Sequence, residues 1–367
     1  MENAKPTELP LRKLGKTGLD VPIVGFGGLV LRELNEEDAF QLISHAITQG
    51  IRFFDTARHY QYSETALGKA QKRLGEERFI FSSKTMARDY GAAWIALQES
   101  LTALQVRQLH IYGFHHVQTL AEYHRIIGKD GALSALKEAK EQGMVAHIML
   151  SSHARDVLLL AAAHEDIEIL MFPYNIFDAE IFKPVLQLAN KNNKGTIAIK
   201  LLAGGNICAL KEGIQFVVAH PFSFVLTGAK TAMQLDVFVD HAILACHMNP
   251  DTMDTSTLKS SQKKLLDMDI PDCRHCAYCH DFCPNDIPIS TIFELLKMTK
   301  LYRSGHRAKE DYHTLKKHGN DCIECGKCLH ICPENIAIPC FLKKAHAVLT
   351  QAVTEKERLY HGETGKP

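Results

Sequence analysis

Eight of the eleven cysteines in this 367-residue chain fall in two runs of identical spacing. The first is Cys273-x-x-Cys276-x-x-Cys279-x-x-x-Cys283-Pro284, and the second is Cys322-x-x-Cys325-x-x-Cys328-x-x-x-Cys332-Pro333. In a reducing compartment, clustered cysteines are metal ligands more often than disulfides. Three thiolates at such intervals wrap one cubane iron–sulfur cluster. Structural zinc is the alternative, but zinc sites pair two C-x-x-C knuckles across a longer loop rather than duplicating a triple run that ends in proline. A second set of residues suits a different chemistry: Asp55, Tyr60, Lys84 and His115. A tyrosine's ordinary pKa, about 10, is too high for an effective proton donor near neutrality. An adjacent ammonium stabilises the phenolate and lowers that pKa. Lys84 is the candidate cation, with Asp55 keeping it ionised and oriented. His115 would orient a substrate oxygen, and Tyr60 would protonate a carbonyl oxygen as hydride arrives at carbon. Such a set reduces a small carbonyl substrate.

Those four side chains must be brought together by the elements that carry them. Short apolar runs alternate with amphipathic ones from residue 20 to residue 246. The expected strands are Val21–Gly25, Ile51–Asp55, Phe79–Lys84, Leu109–His115, Val145–Ser151, Ile167–Phe172, Gly195–Lys200 and Ser223–Thr227. They are near-continuously apolar, as parallel strands covered on both faces are. Helical patterns such as Glu36–Gln49 and Asp178–Lys191 separate them. Alternating strands and helices imply right-handed parallel crossovers, and eight such units make a (β/α)8 TIM barrel. A doubly wound dinucleotide fold would show G-x-G-x-x-G after its first strand, but here Gly25-Phe26-Gly27 leads to Val30 where the third glycine belongs. In a barrel the active site lies at the C-terminal strand ends. Asp55, Tyr60, Lys84 and His115 all fall there on adjacent strands. His116 is the rival of His115, and strand alternation lets only one enter the mouth. His59, His110, His153 and His241 read as surface or packing residues. Cys208, Cys246 and Cys340 read as small apolar fillers.

Over residues 268–345 the cysteine segment resembles the bacterial-type two-cluster ferredoxins. In such proteins the proline-bound cysteine ligates the other cubane. The resemblance therefore implies two [4Fe-4S] clusters with crossed ligand sets. Cys273, Cys276, Cys279 and Cys332 hold one, and Cys322, Cys325, Cys328 and Cys283 hold the other. The runs are separated by residues 284–321, longer than in the compact ferredoxins. Apolar residues at helical spacing in Ile289–Lys297 and Phe341–Leu349 predict a small, mainly helical domain.

Residues 9–245 resemble an aldo-keto reductase. The resemblance is carried by Leu14-Gly15-Lys16-Thr17-Gly18-Leu19, by Val24-Gly25-Phe26-Gly27-Gly28, and by Asp55-Thr56-Ala57-x-x-Tyr60 with Ser63-Glu64 and Gly68. His115 falls where the family's histidine does. The resemblance implies NADPH as cofactor, held by Gly27, Asp55, Ser151, Ser152, Leu202, Gly204, Gly228, Lys230 and Gln234. Four departures leave NADH open. Ser151-Ser152-His153 stands where the family often has Ser-Asn, Met171 where a glutamine is common, Ile199 in place of a stacking tyrosine, and Gln234 in place of a phosphate-gripping arginine. Together the two resemblances describe a group of microbial iron–sulfur aldo-keto reductases. The expected organisation is a barrel over 1–250, a linker over 251–267, a ferredoxin-like domain over 268–345, and a C-terminal helix and tail over 346–367.

Charge and hydropathy narrow the partners. Lys+Arg and Asp+Glu both number 42, so no net field favours nucleic acid or an anionic membrane. No apolar run approaches the roughly 20 residues of a membrane span, and the N-terminus lacks a signal-peptide pattern. A cytoplasmic oxidoreductase is the expectation, with an external redox protein as a further partner. Hydride carries two electrons and a cubane passes one, so a flavin is the open question between them. The alternatives are clusters that are structural or redox-sensing, and a non-enzymatic NADPH-sensing role.

Overall fold

A computed structural model describes residues 8–266, 269–274, 276, 278–301 and 305–351 of the chain. The part of the expected C-terminal helix and tail beyond residue 351 lies outside the described residues. Eight parallel strands close into a barrel: β3 (Val24–Gly27), β4 (Phe53–Asp55), β5 (Ile80–Thr85), β6 (Leu109–Phe114), β7 (Val145–Ser151), β8 (Ile169–Pro173), β9 (Gly195–Ile199) and β10 (Phe224–Thr227). β10 pairs with β3 to complete the ring. Helices separate the strands, beginning with α1 (Glu36–Thr48), whose first turn is capped by Asn35 accepting from the Asp38 N–H at 2.9 Å.

The first strand differs most from expectation, the others by at most two residues at their ends. The first barrel strand begins at Val24 rather than Val21, because Val21 belongs to an antiparallel hairpin of β1 (Leu11–Lys13) and β2 (Asp20–Pro22). Pro22 lacks an N–H donor and ends the hairpin ladder, so pairing to the barrel starts only beyond it. The hairpin has its own packing role. Leu14 at its turn is fully buried among interior barrel residues that include Phe53, Ile111, Ile169, Ile197 and Phe224. Gly195 makes room for it, since a Cβ there would lie 2.7 Å from Leu14 Cδ1.

The chain divides into two compact units. One contains the barrel, through Leu202 and again over Ala209–Leu258; the other contains Ala203–Cys208 and the residues from Lys259 onward. Among its described residues the second unit has helices and no strand. They include α2 (Tyr278–Asp281), α3 (Ile289–Leu301), α4 (Lys327–Ile331) and α5 (Ile338–Leu349). Its apolar core contains Ile289, Phe293, Leu296, Tyr312 and Leu342, and it includes two of the cysteines, Cys279 and Cys328. Among the described residues no helix is long and apolar enough to cross a membrane.

The interior position of Leu14 yields a stability prediction. Leu14→Ala removes fully buried methyl groups from a site that the barrel cannot collapse, and costs about 2–5 kcal/mol. A urea titration followed by circular dichroism should show a lower midpoint; an unchanged midpoint would mean that the hairpin is not part of the cooperative core.

Candidate active site and cysteine cavities

Parallel register brings the four catalytic candidates into one neighbourhood. Asp55 ends β4 and pairs in register with Ser82 of β5, while Lys84 pairs with Gly113 of β6. Ser82 and Lys84 are two residues apart on one strand, so their side chains leave the same face. Both converge on Asp55. The Lys84 Nζ donates to Asp55 Oδ1 at 2.6 Å and Oδ2 at 2.7 Å, and to the Thr56 carbonyl at 2.5 Å. The Ser82 hydroxyl donates to Asp55 Oδ1 at 3.1 Å. Lys84 has no exposed surface and Asp55 almost none. Burial pushes the Asp55 carboxyl up and the Lys84 ammonium down, and their mutual attraction opposes both shifts.

Tyr60 sits on a short 3-10 turn, Arg58–Tyr60, just past β4. The Lys84 ammonium lies 5.3 Å from the centroid of its ring. Its hydroxyl lies 3.4 Å from His115 Nε2, and the two rings meet edge-on with centroids 5.3 Å apart. His115 is held neutral, its pKa driven well below the usual histidine value by burial and then by the nearby Lys84 charge. His116 is also buried, with its pKa lowered by burial to about 3. The alternation rule does not separate the two histidines, because β6 ends at Phe114 and His116 takes a φ of 55°. They part by contact instead: His115 meets Tyr60, and the His116 ring stands 6.0 Å from that of His153. Arg88 fixes this turn, donating to the His115 and His116 carbonyls at 2.9 Å each while pairing with Glu122.

The nine cofactor candidates are placed less uniformly. Gly27 and Asp55 are in register at the ends of β3 and β4. Ser151 ends β7, and the Ser152 hydroxyl is already engaged, donating to the Val117 carbonyl at 2.5 Å and accepting from the Ala154 N–H at 2.9 Å. Gly228 follows β10 with open space beside its Cα. Lys230 pairs with Glu33 at 2.7 Å, and the Gln234 side chain accepts from the Lys230 N–H at 2.8 Å. Leu202 closes the barrel unit's stretch after β9, but Gly204 belongs to the second unit.

Several contributors were given no role from the sequence. Ser82 and Arg88 orient Asp55 and His115. Glu64 is buried, accepts from the Ser83 hydroxyl at 2.6 Å and pairs with Arg58. Among the described residues, the Lys200 Nζ after β9 is buried without a hydrogen-bond partner, the kind of group that an anion satisfies. The serines Ser82 and Ser83 beside Lys84 were the available signal; Arg88 had none, because it acts on carbonyls of a distant turn. Cys208 and Cys340 are exposed and Cys246 half-buried, so only the last is even partly a filler.

In the second unit the eight cysteines line two cavities. Cys273, Cys276, Cys279 and Cys332 line one. Cys283, Cys322, Cys325 and Cys328 line the other. Each run places its third cysteine on a helix, Cys279 on α2 and Cys328 on α4. Each Cys-Pro pair then turns back through a left-handed residue, Asp286 or Asn335, both with φ 51°. The two runs are thus one structural motif used twice. Burial and the neighbouring thiols push the Cys279 thiol far up and the Cys328 thiol up to about 11. Bound metal reverses that, since a coordinating thiol is deprotonated outright. The soft thiolate donor set of each cavity fits an iron–sulfur group.

The chain matches two family models. The aldo/keto reductase family matches residues 23–217, and a 4Fe-4S dicluster domain matches residues 266–333. Among curated proteins, a probable aldo-keto reductase from Glycine max is 27% identical over 211 residues, spanning 53% of this chain and 59% of that protein. L-galactose dehydrogenase from Arabidopsis thaliana is 32% identical over 165 residues, spanning 41% of this chain and 51% of that protein. The chain thus spans little more than half the length of these relatives. Of solved structures, a putative aldo-keto reductase from Pseudomonas aeruginosa superposes with a TM-score of 0.60 at 21% identity, covering 67% of this chain and 99% of that one. An aldo-keto reductase from Bacillus halodurans, in its holo form, gives 0.58 at 21% identity, covering 70% and 96%. At that identity the likeness is one of fold.

Two measurements test the electrostatics of the site. Asp55→Ala leaves Lys84 buried without its counter-charge and costs about 3–5 kcal/mol, read as a lower melting temperature at neutral pH. The buried histidines set a pH dependence. His115 and His116 bind protons less readily folded than unfolded, so the unfolded state gains more protons as pH falls below about 6.5. Stability should therefore drop between about pH 6.5 and 5. A melting temperature that stays flat over that window would contradict the neutral burial of both rings.

Proposed function

The chain belongs to the aldo/keto reductase family, and on that premise we propose that its barrel reduces the carbonyl group of a small aldehyde or ketone to an alcohol. A nicotinamide cofactor, NADPH or NADH, supplies the hydride when bound. The residues that fit it are Gly27, Asp55 and Ser151 at strand ends, with Leu202, Gly228, Lys230 and Gln234 beyond β9 and β10 and the buried Lys200 Nζ for an anionic group. Ser152 fits through its backbone, its hydroxyl being engaged. Gly204 fits less well, because it is packed within the second unit.

The chain's own residues divide the work at the carbonyl. Asp55, Ser82 and the Thr56 carbonyl hold the Lys84 ammonium in one place. Lys84 beside the Tyr60 ring favours the phenolate once the tyrosine proton has left. Neutral His115 faces the Tyr60 hydroxyl and orients the substrate oxygen toward it. Tyr60 gives its proton to that oxygen. The observation that carries this reading is the contact set itself, with Lys84 bonded to Asp55 at 2.6 Å, Tyr60 5.3 Å from Lys84, and Tyr60 3.4 Å from His115.

The eight cysteines are proposed to hold two [4Fe-4S] clusters, one per cavity, which supply one-electron transfer when bound. Cluster and hydride chemistry differ in electron number, so a flavin or an external redox protein is needed wherever the two exchange electrons. A structural role for the clusters is favoured by one observation, the inclusion of Cys279 and Cys328 in the apolar core of their unit.

Tyr60→Phe tests the barrel. It should lower carbonyl turnover by about 10²–10⁴-fold while fluorescence titration shows NADPH binding unchanged. Full turnover in that variant would remove Tyr60 as the acid. An anaerobic iron, sulfide and flavin assay should return about eight irons per chain. EPR after adding NADPH then separates the cluster roles: a reduced-cluster signal supports electron exchange, and silent clusters beside full turnover support structure.

A further inference from the structure

The repeated cysteine motif invites comparison of equivalent positions, and one pair is inverted. The residue after the first cysteine is Arg274 in one run and Ile323 in the other. The arginine side chain is only 3% exposed, whereas the isoleucine is 62% exposed. This reverses what each side chain ordinarily seeks. A second pair differs as well: Glu334 follows Cys332-Pro333 where Asn285 follows Cys283-Pro284. Because the fourth cysteines cross over, Arg274 and Glu334 line the same cavity, with Cys273, Cys276, Cys279 and Cys332. Ile323 and Asn285 line the other, where the cation Lys327 is exposed to water.

We propose that buried Arg274 raises the reduction potential of the cluster in its cavity, making the two clusters of one chain electrostatically inequivalent. The proposal rests on the cluster reading above. Uptake of one electron makes a four-thiolate cluster more negative by one charge. Cluster potentials respond to net charge, hydrogen bonds to sulfur and solvent exposure. Arginine stays protonated, and a buried charge is screened far less than an exposed one. Among the described residues, two carboxylates oppose it, Asp272 at 3.1 Å and Glu334 at 3.5 Å. Both lie farther out, 58% and 20% exposed against 3% for Arg274, so water screens them more. Arg274 is also fixed in place. Gly204, at φ 67°, packs so closely on its backbone that a Cβ would stand 2.6 Å from Arg274 Cα. Asn206 anchors the chain two residues earlier, donating to Asp272 Oδ1 at 2.8 Å.

The test is a dithionite titration of the anaerobically reconstituted full chain, followed by EPR. Arg274→Leu should lower one midpoint by at least a tenfold change in the ratio of reduced to oxidised cluster, about 59 mV for a one-electron couple, and leave the other in place. Arg274→Lys should restore most of the shift. Glu334→Gln should raise that same midpoint. Opposite signs from the two variants are what a loosened structure would not produce. Midpoints that move together, do not move, or fall in both variants overturn the proposal. If Arg274→Leu loses iron, Glu334→Gln decides alone, and an unmoved or lowered midpoint overturns it. Iron and sulfide analysis separates the two levels of failure. Wild-type protein with fewer than about eight irons removes the cluster reading and this proposal with it, whereas full loading with unmoved midpoints removes the proposal alone.

Discussion

A lysine with no exposed surface needs a counter-charge and a full set of acceptors, and much of the barrel mouth is arranged to provide them. Leaving an ammonium buried and unpaired is among the costliest errors a fold can make. Lys84 finds both oxygens of Asp55 and the Thr56 carbonyl within 2.5–2.7 Å. That geometry needs β4 and β5 in one register, and the parallel pairing of Asp55 with Ser82 supplies it. The same pairing puts Tyr60, carried on the turn after β4, against the lysine. Register in a closed barrel cannot slip by one residue without exchanging its inner and outer faces. The interior packing, including the Leu14 plug, is therefore coupled to the chemistry at the other end of the strands.

The second unit is organised by a different constraint. Its helices enclose a modest apolar core into which Cys279 and Cys328 are drawn, although thiols near other thiols are disfavoured as thiolates there. Metal binding inverts that preference, so the free energy of loading is also free energy of folding. The repeat solves the geometry twice with the same left-handed turn after each Cys-Pro pair. Symmetry of backbone does not carry symmetry of charge, because Arg274 and Ile323 occupy equivalent places with opposite burial.

Hydride chemistry and one-electron chemistry ask different things of a protein. The first needs a dry, pre-aligned proton donor, and the buried Asp55–Lys84–Tyr60–His115 set has that character. The second needs potentials tuned by local charge and exposure. The candidate residues for the two lie in separate compact units, each with its own core. The segment Ala203–Cys208 departs from this separation, lying between β9 and the next barrel helix in sequence while belonging to the second unit.

The eight-strand barrel was legible in the alternation of apolar and amphipathic runs, because periodicity is a local property written residue by residue. The cysteine spacing was equally legible, since ligand intervals are set by the geometry of a local turn. The positions of Asp55, Lys84 and His115 followed from strand ends for the same reason. What the sequence could not express was the outcome of competition between distant segments. Val21 left the barrel for a hairpin because Arg12, on the strand just before it, was there to pair with it. His116 was buried beside His115 because the strand ended one residue early and Arg88 gripped both carbonyls. Gly204 read as a cofactor-binding residue, and it packs against Arg274, some seventy positions later in the chain. Nothing in the sequence sets Arg274 apart beyond its place between two cysteines of one run. Only tertiary packing decided its burial, because solvent exposure depends on which distant atoms arrive to exclude water, and no local pattern records that.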